Sequence, residues 1–239
     1  MRKTTGQNKT SYKRKKGKTR KERERQLRCR IATVACFMLV GLCVLLYKWN
    51  IIPHPYYENS HFGIADYKSN VDKDGDGTDD QTDILKGVRD YIATKPQYKS
   101  VYYDGGYPND EYGVCTDVVA NGLKAAGYDL RMLVDEHIRE NLSAYDIEKP
   151  DDNIDFRRVR NLYVYFKDTA IELTTDIHKI EEWQGGDIIV FKNHIGVISD
   201  KRNRNGVPFV IHHGSPTQAG YEQDILEGRD DIIGHFRIS

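Results

Sequence analysis

The stretch Glu111-Tyr-Gly-Val-Cys115-Thr-Asp-Val-Val119 places a cysteine at the point where a helix is predicted to begin. Apolar or small residues follow it at three- and four-residue intervals, and Gly127 is placed to end the helix: Val118, Val119, Gly122, Leu123 and Ala126. In the first turn, backbone N–H groups and the helix dipole are expected to lower the pKa of the Cys115 thiol. We therefore interpret Cys115 as a nucleophile. The alternative is a small, buried apolar side chain.

The net charge of zero conceals two oppositely charged parts of the 239-residue chain. Of the 36 Lys/Arg residues, 14 lie in residues 1–30, whereas only two of the 36 Asp/Glu residues do. The first 30 residues therefore carry a charge of +12 and the remainder −12. We interpret residues 1–30 as a disordered basic tail that sets membrane topology, and we do not expect nucleic-acid binding.

Residues 31–47 are uncharged and mostly apolar, near the lower limit of about 17–25 residues for a membrane-spanning helix. We predict an uncleaved single-pass anchor, with Trp49 at the far interface. The positive-inside rule then keeps the tail in the cytoplasm and places the body outside it. A cleaved signal peptide is the alternative, but no cleavage site of small residues follows. Cys29, Cys36 and Cys43 belong to the tail and anchor, which leaves Cys115 alone in the exported body.

The spacing of acidic residues in 72–83 matches an EF-hand calcium loop. Counted from Asp72, candidate ligands stand at positions 1, 3, 5, 7, 9 and 12, with Gly77 at the turn: Asp72, Asp74, Asp76, Thr78, Asp80 and Asp83. Asp83 replaces the usual bidentate Glu, and loops of this spacing resemble those of dockerin-like extracellular modules. We predict a structural calcium ion and no organic cofactor. A solvated acidic turn is the alternative.

The remaining pattern predicts an α+β domain over residues 71–239, with helices first and an antiparallel sheet after them. Helical spacing is seen from residue 84 and after Cys115. Residues 183–191 are typical of a turn that leads into a strand, and residues 194–199, 208–213 and 232–238 are typical of further strands. Residues 48–70 lack a sustained period and are predicted to form a stalk.

A thiol nucleophile needs a histidine to accept its proton and a polar group to orient that histidine. If strands 194–199 and 208–213 form a hairpin symmetric about Asn203, His194 faces His212 on one side of the sheet. A one-residue slip would bring His213 opposite His194 instead. A zinc site made of Cys115, His194 and His212 is a further alternative.

Two other charged features of the sequence have ordinary structural explanations. Asp117, at the start of the helix, is expected to cap the helix or interact with its dipole. Asn153 and Asp155, with Arg157 and Arg158, form either a site for a charged substrate group or a solvated or internally paired turn.

The segments Gly113-Val-Cys115-Thr-Asp, Gly186-Asp-Ile-Ile-Val-Phe191, His194-Ile-Gly-Val-Ile198 and Val210-Ile-His212 occur in the order seen in a known superfamily. They resemble the NlpC-type, papain-like cell-wall cysteine peptidases and the related CHAP amidases. Residues 70–239 also contain longer sequence segments, including Asn153-Ile-Asp-Phe-Arg-Arg-Val-Arg-Asn-Leu162 and Trp183-Gln-Gly-Gly-Asp-Ile188. On these segments, residues 70–239 resemble an uncharacterised bacterial family of the YijF type.

The resemblance implies a papain-like (NlpC/CHAP-like) fold, with helices packed on an antiparallel sheet. It also implies that Cys115 is the nucleophile, His194 the general base and acid, and His212 the orienting residue. Val114 and Thr116 depart from the commonest NlpC-type pattern, which has Asp and Ser there, and this departure bears on substrate preference.

We therefore expect a membrane-anchored extracytoplasmic cysteine amidohydrolase or peptidase that cleaves peptide or amide bonds of peptidoglycan through an acyl-enzyme. A non-catalytic wall-binding or scaffold module, and an acyltransferase that uses the same thioester, are the alternatives.

Overall fold

A computed structural model describes residues 18–238, so the first 17 residues of the predicted basic tail and Ser239 lie outside the described part. The chain divides into two compact units between Leu46 and Tyr47. Each unit is described by itself below.

The first unit is formed by helix α1 (Arg20–Lys48), which continues two residues past the unit boundary. With 29 residues and a mean hydropathy of 2.4 in its most apolar window, α1 is long and apolar enough to cross a membrane. The prediction that residues up to 30 are disordered is wrong from Arg20 onward. Thr19 and Glu22 form a capping box, in which each backbone N–H donates to the other side chain, and this starts the helix eleven residues before the apolar run.

The predicted stalk is instead part of the body. Residues 49–69, here called the strap, run along the second unit. Tyr57 exchanges two backbone hydrogen bonds of 2.8 Å with Arg202. The Arg202 guanidinium is fully buried, bonds to the Asn59 side chain, and donates to the carbonyls of Ile180 and Gly206 at 2.9 and 2.7 Å. These are backbone and polar contacts, which produce no hydrophobic period in the sequence.

Four helices form one layer of the body: α2 (Asp80–Ala93), α3 (Cys115–Ala125), α4 (Leu130–Glu140) and α5 (Val159–Thr169). Helices α2 and α3 approach closely because Gly87 of α2 faces Gly122 of α3, and a Cβ at Gly87 would overlap the side chain of Ala125. Helix α3 packs on the sheet through Val118 and its neighbours.

The second layer is a six-stranded sheet in the order β3-β8-β4-β5-β6-β7, and every pair in it is antiparallel. Its strands are β3 (Ile171–Glu172), β4 (Ile188–Phe191), β5 (His194–Arg202), β6 (Pro208–Ile211), β7 (Glu222–Gln223) and β8 (Ile232–Arg237). Two shorter strands, β1 (Gln97–Tyr98) and β2 (Tyr112–Gly113), pair in parallel just before α3. The predicted α+β class with an antiparallel sheet is confirmed.

The register of the β5–β6 hairpin differs from the symmetric pairing about Asn203. Ile198 pairs with Val210 and not with Pro208, and the register shifts again before Arg202 pairs with Pro208. The Asn203 side chain accepts hydrogen bonds from the N–H groups of Asn205 and Val207, which moves the turn forward along the chain. A shift of two residues preserves the alternation of side chains, so His194 and His212 stay in phase.

Candidate functional site

Cys115 is the first residue of α3 and follows Val114, whose backbone is extended. The chain turns into the helix here because the Asp117 carboxylate accepts the Val114 N–H at 2.8 Å. Asp117 also accepts two 2.8 Å bonds from the Arg157 guanidinium, and both side chains are almost completely buried. Arg157 further donates to the Val101 carbonyl at 2.6 Å. Arg157 is thus paired internally and is not exposed to a substrate.

The three residues predicted for catalysis meet at one cleft. Cys115, His194 and His212 line an open cleft of about 710 Å³, together with Gln223 and Arg229. His213 is directed elsewhere, because its buried ring makes edge contacts with Tyr98 and Tyr221 at centroid distances of 5.3 and 5.1 Å.

Hydrogen bonds join the two histidines and a glutamine into a chain. His194 Nε2 lies 3.0 Å from His212 Nδ1, and His212 Nε2 lies 3.1 Å from Gln223 Oε1. An amide oxygen only accepts, so Nε2 of His212 carries the proton, and Nδ1 of the neutral ring accepts from His194 Nε2. This assignment leaves Nδ1 of His194 as the ring nitrogen with a free lone pair. In this tautomer His194 can accept a proton at Nδ1.

The pKa of the Cys115 thiol is raised to about 11, which contradicts the expected thiolate at a helix N-terminus. Burial is the main cause, and the negative charge of Asp117 acts in the same direction. A hydrogen bond from the backbone N–H of Ile195, next to His194 in β5, opposes the rise without cancelling it. In the resting protein Cys115 is a protonated thiol.

The pKa values of both cleft histidines are lowered. Burial lowers the pKa of His194 to about 4, with a further contribution from the positive charge of Arg229. Burial, followed by the neighbouring His194, lowers the pKa of His212 to about 3. Both rings are neutral near pH 7, in agreement with the hydrogen-bond assignment.

The zinc alternative does not fit the side-chain positions. Among residues 18–238, the group with three ligand atoms within 4.8 Å of one another is Asp72, Asp74 and Asp76. Cys115, His194 and His212 do not form such a group, whereas zinc ligands at about 2.0–2.3 Å from the metal would lie within that distance of one another.

The Gly-Asp pair that precedes β4 is structural. The Asp187 carboxylate is fully buried and is bound by His235 at 3.0 Å and by Arg237 at 2.7 Å. Although burial raises the pKa of Asp187, these hydrogen bonds hold it below its usual range. Gly186 has a φ of +96°, and a Cβ there would come within 2.7 Å of the Gln81 carbonyl oxygen. The motif therefore holds α2 against the sheet.

The predicted calcium loop brings together some of its candidate ligands. Asp72, Asp74 and Asp76 are clustered, and the Asp72 carboxylate accepts the N–H groups of Gly75 and Gly77 at 2.8 and 2.9 Å. The Thr78 N–H donates to Asp76.

Asp80 and Asp83 both lie in the first turn of α2 but have different surroundings. Burial and the charges of Asp76, Asp74 and Asp72 raise the pKa of Asp83, which places its carboxylate near the cluster. Asp80 instead accepts from the Lys73 N–H and the Tyr128 hydroxyl, and it is not part of the clustered group.

Several residues that line the cleft were missed by sequence reasoning, among them Trp49, Ile51, Gln223 and Arg229. Gln223 lies in the two-residue strand β7, which is too short to show alternation. The sequence pattern predicts that Trp49 lies at the membrane interface of the anchor and that Ile51 lies in the stalk. Arg229 stacks over the Phe191 ring at 4.2 Å and pairs with Asp231.

The fold and the cleft define an α+β protein with a cysteine at a helix N-terminus and a His–His–Gln hydrogen-bond chain beside it. The chain belongs to the family described as a domain of unknown function (DUF1287), whose model matches residues 85–238. It is similar to "Uncharacterized protein YijF" of Escherichia coli (strain K12), with 36% identity over 168 residues, which cover 64% of this chain and 80% of the relative. No solved structure matches the chain.

Proposed function

We propose that this protein is a membrane-anchored, extracytoplasmic cysteine amidohydrolase of papain-like (NlpC/CHAP-like) type that cleaves peptide or amide bonds of the cell wall. The observation that carries the proposal is the hydrogen-bond chain from Gln223 through His212 to His194, which ends in the cleft that Cys115 lines. This is the order of groups required for a thiol nucleophile, its base and an orienting residue.

Because Cys115 and His194 are both neutral in the resting protein, we expect the thiol to lose its proton as its sulfur attacks the substrate. Nδ1 of His194 accepts the Cys115 proton as Sγ bonds to the carbonyl carbon of the substrate and the carbonyl oxygen becomes an oxyanion. The backbone N–H of Cys115, in the first turn of α3, is available to that oxyanion. His194 then donates the proton to the leaving amine as the C–N bond breaks. With an intrinsic pKa of about 4, the imidazolium is a strong acid for this step. Water hydrolyses the remaining thioester, again with His194 as base.

The charge distribution and α1 support the membrane part of the proposal. The apolar part of α1, which is long enough to span a bilayer, follows residues 1–30, whose charge is +12, and this favours a cytoplasmic N-terminus. The body and its cleft then lie on the other side of the membrane.

The decisive experiment incubates the full chain in detergent with purified muropeptides and identifies the products by mass spectrometry. Wild type is expected to release new amines, and Cys115→Ala is expected to abolish the release. Cys43→Ser, which removes a cysteine of α1, is the matched control and should retain activity. Hydrolysis that persists in Cys115→Ala would refute the proposal. Products that carry an added amine in place of water would identify the acyltransferase alternative, and absence of turnover in wild type would favour the scaffold alternative.

We also propose that the loop of residues 72–83 binds calcium as a structural ion. Three clustered carboxylates with Asp83 beside them repel one another, and a divalent cation relieves this repulsion. Calcium is expected to raise the melting temperature of the protein at pH 7, and Asp74→Asn should reduce this rise. Asp104→Asn, at an exposed acidic residue outside residues 72–83, is the control. An unchanged melting temperature after chelation would contradict calcium binding.

A further inference from the structure

Within the second unit, the segment from Tyr47 to His54 is fixed to the body next to the cleft. Asn50 has a φ of +54° and ends the helix, with its N–H donating to the Tyr47 carbonyl at 2.9 Å. The Asn50 side chain exchanges two hydrogen bonds with the backbone of Asp224, at 3.1 and 3.2 Å. Asp224 directly follows Gln223, the last member of the hydrogen-bond chain that orients His194.

His54 makes further contacts that hold the segment from Tyr47 to His54, here called the clamped segment, against the body. His54 Nδ1 lies 2.9 Å from the Asp224 carboxylate, and His54 Nε2 lies 2.8 Å from the Tyr47 carbonyl oxygen. The rings of Tyr47 and His54 stack at 3.9 Å with an interplanar angle of 12°. The segment from Tyr47 to His54 is thus held at both ends and packed against the body.

The clamped segment forms part of the cleft wall. Trp49 and Ile51 line the same cleft as Cys115, yet their side chains remain 64% and 46% exposed. Ile51 is three residues beyond Lys48, where α1 ends, so the two residues are at most about 11 Å apart along the chain. Exposed Trp and aliphatic side chains at this distance from a spanning helix belong to the membrane interface.

We propose that the clamped segment holds the mouth of the Cys115 cleft at the membrane surface, and that the enzyme acts on amides covalently linked to a membrane lipid. The substrate class rests on the proposed function and on α1 crossing the bilayer. A lipid-linked substrate displayed from the same bilayer meets the cleft at high effective concentration, whereas an amide far from the membrane is out of reach.

The position of the cleft is tested first, by a measurement that does not depend on activity. The full chain, with all four cysteines replaced by serine, is given one fluorophore at Thr217→Cys on the cleft rim or at Met132→Cys, an exposed residue of α4 outside the cleft. Each protein is placed in nanodiscs whose lipid headgroups carry a nitroxide quencher. We expect the probe at 217 to lose most of its fluorescence and the probe at 132 to keep most of it. Equal quenching at both sites would overturn the proposal.

The substrate class is tested with wild-type enzyme in nanodiscs. A muropeptide is conjugated to phosphatidylethanolamine through a short or a long spacer, and the unconjugated muropeptide serves as the soluble probe. Turnover of the short-spacer conjugate is expected to exceed that of the long-spacer conjugate about tenfold. Insertion of about 12 Gly/Ser residues after Lys48, which adds a span of roughly 19 Å, should remove this preference and leave soluble turnover unchanged.

The outcomes separate the two proposals. Equal turnover of both conjugates, with the soluble muropeptide cleaved, would overturn the lipid-linked substrate and leave the hydrolase intact. Selective quenching at Thr217 without cleavage of any probe would overturn the hydrolase, and with it the substrate class.

Discussion

The raised pKa of Cys115 predicts an unusual pH profile for its alkylation. In a variant with Cys29, Cys36 and Cys43 replaced by serine, iodoacetamide reports on Cys115 alone. With a pKa of about 11, the fraction of thiolate at pH 7 is about 10⁻⁴, whereas an ordinary thiol with a pKa of about 8.5 has about 3 × 10⁻². Alkylation at pH 7 should therefore be roughly 300-fold slower than for an exposed cysteine, because the thiolate is the reacting species.

The assay measures the rate of carbamidomethylation by mass spectrometry between pH 6 and pH 11. The rate should rise about tenfold for each pH unit until close to pH 11. Limited access to the thiol lowers every rate by the same factor, so the midpoint of the profile decides the outcome. His194→Asn should leave the midpoint nearly unchanged, because the ring is neutral in the resting protein. A midpoint below pH 8 that moves upward in His194→Asn would refute the neutral state and establish a preformed thiolate–imidazolium pair.

Three further predictions concern the stability of residues 47–239, measured by urea denaturation. Acidification from pH 7 to pH 5 should cost on the order of 2 kcal/mol through His194, because its unfolded-state pKa of about 6.5 lies above the folded value of about 4. His194→Asn should reduce this loss of stability, and an unchanged loss would contradict its assignment to His194. Arg157→Met should cost about 3–5 kcal/mol by leaving Asp117 buried without its countercharge, and adding Asp117→Asn should recover part of that cost; strictly additive effects would argue against the pair. Gly87→Ala should cost about 1–3 kcal/mol by forcing α2 away from α3, whereas Gly228→Ala, which meets no atom within 4 Å, should be nearly neutral; equal effects would exclude overpacking.

The parts of the fold with a clear hydrophobic period were predictable from the sequence. The spacing after Cys115 predicted α3, and the alternation around His194 and Ile232 predicted strands that the structure contains. The meeting of His194 with His212 was also predictable, although the assumed register was wrong by two residues. Alternation has a period of two, so an error of two residues leaves the phase of a side chain unchanged.

Features that depend on tertiary contacts were not predictable in this way. The strap has no period because it is held by backbone bonds and by the buried Arg202. Gln223 lies in a strand of two residues. The shift in the pKa of Cys115 was predicted with the wrong sign, because the helix N-terminus is visible in the sequence whereas the packing around the thiol is not.

The two edge strands of the sheet affect whether neighbouring molecules of the protein can aggregate. β3 and β7, its edge strands, are only two residues long. An edge strand exposes unpaired N–H and C=O groups to which a strand of a second molecule can add, and such short edges offer very few of them. If α1 anchors the protein as proposed, molecules confined to one membrane surface collide far more often than molecules free in solution. The short edges then protect neighbouring copies from joining their sheets, and lengthening either edge is expected to promote aggregation of the anchored protein.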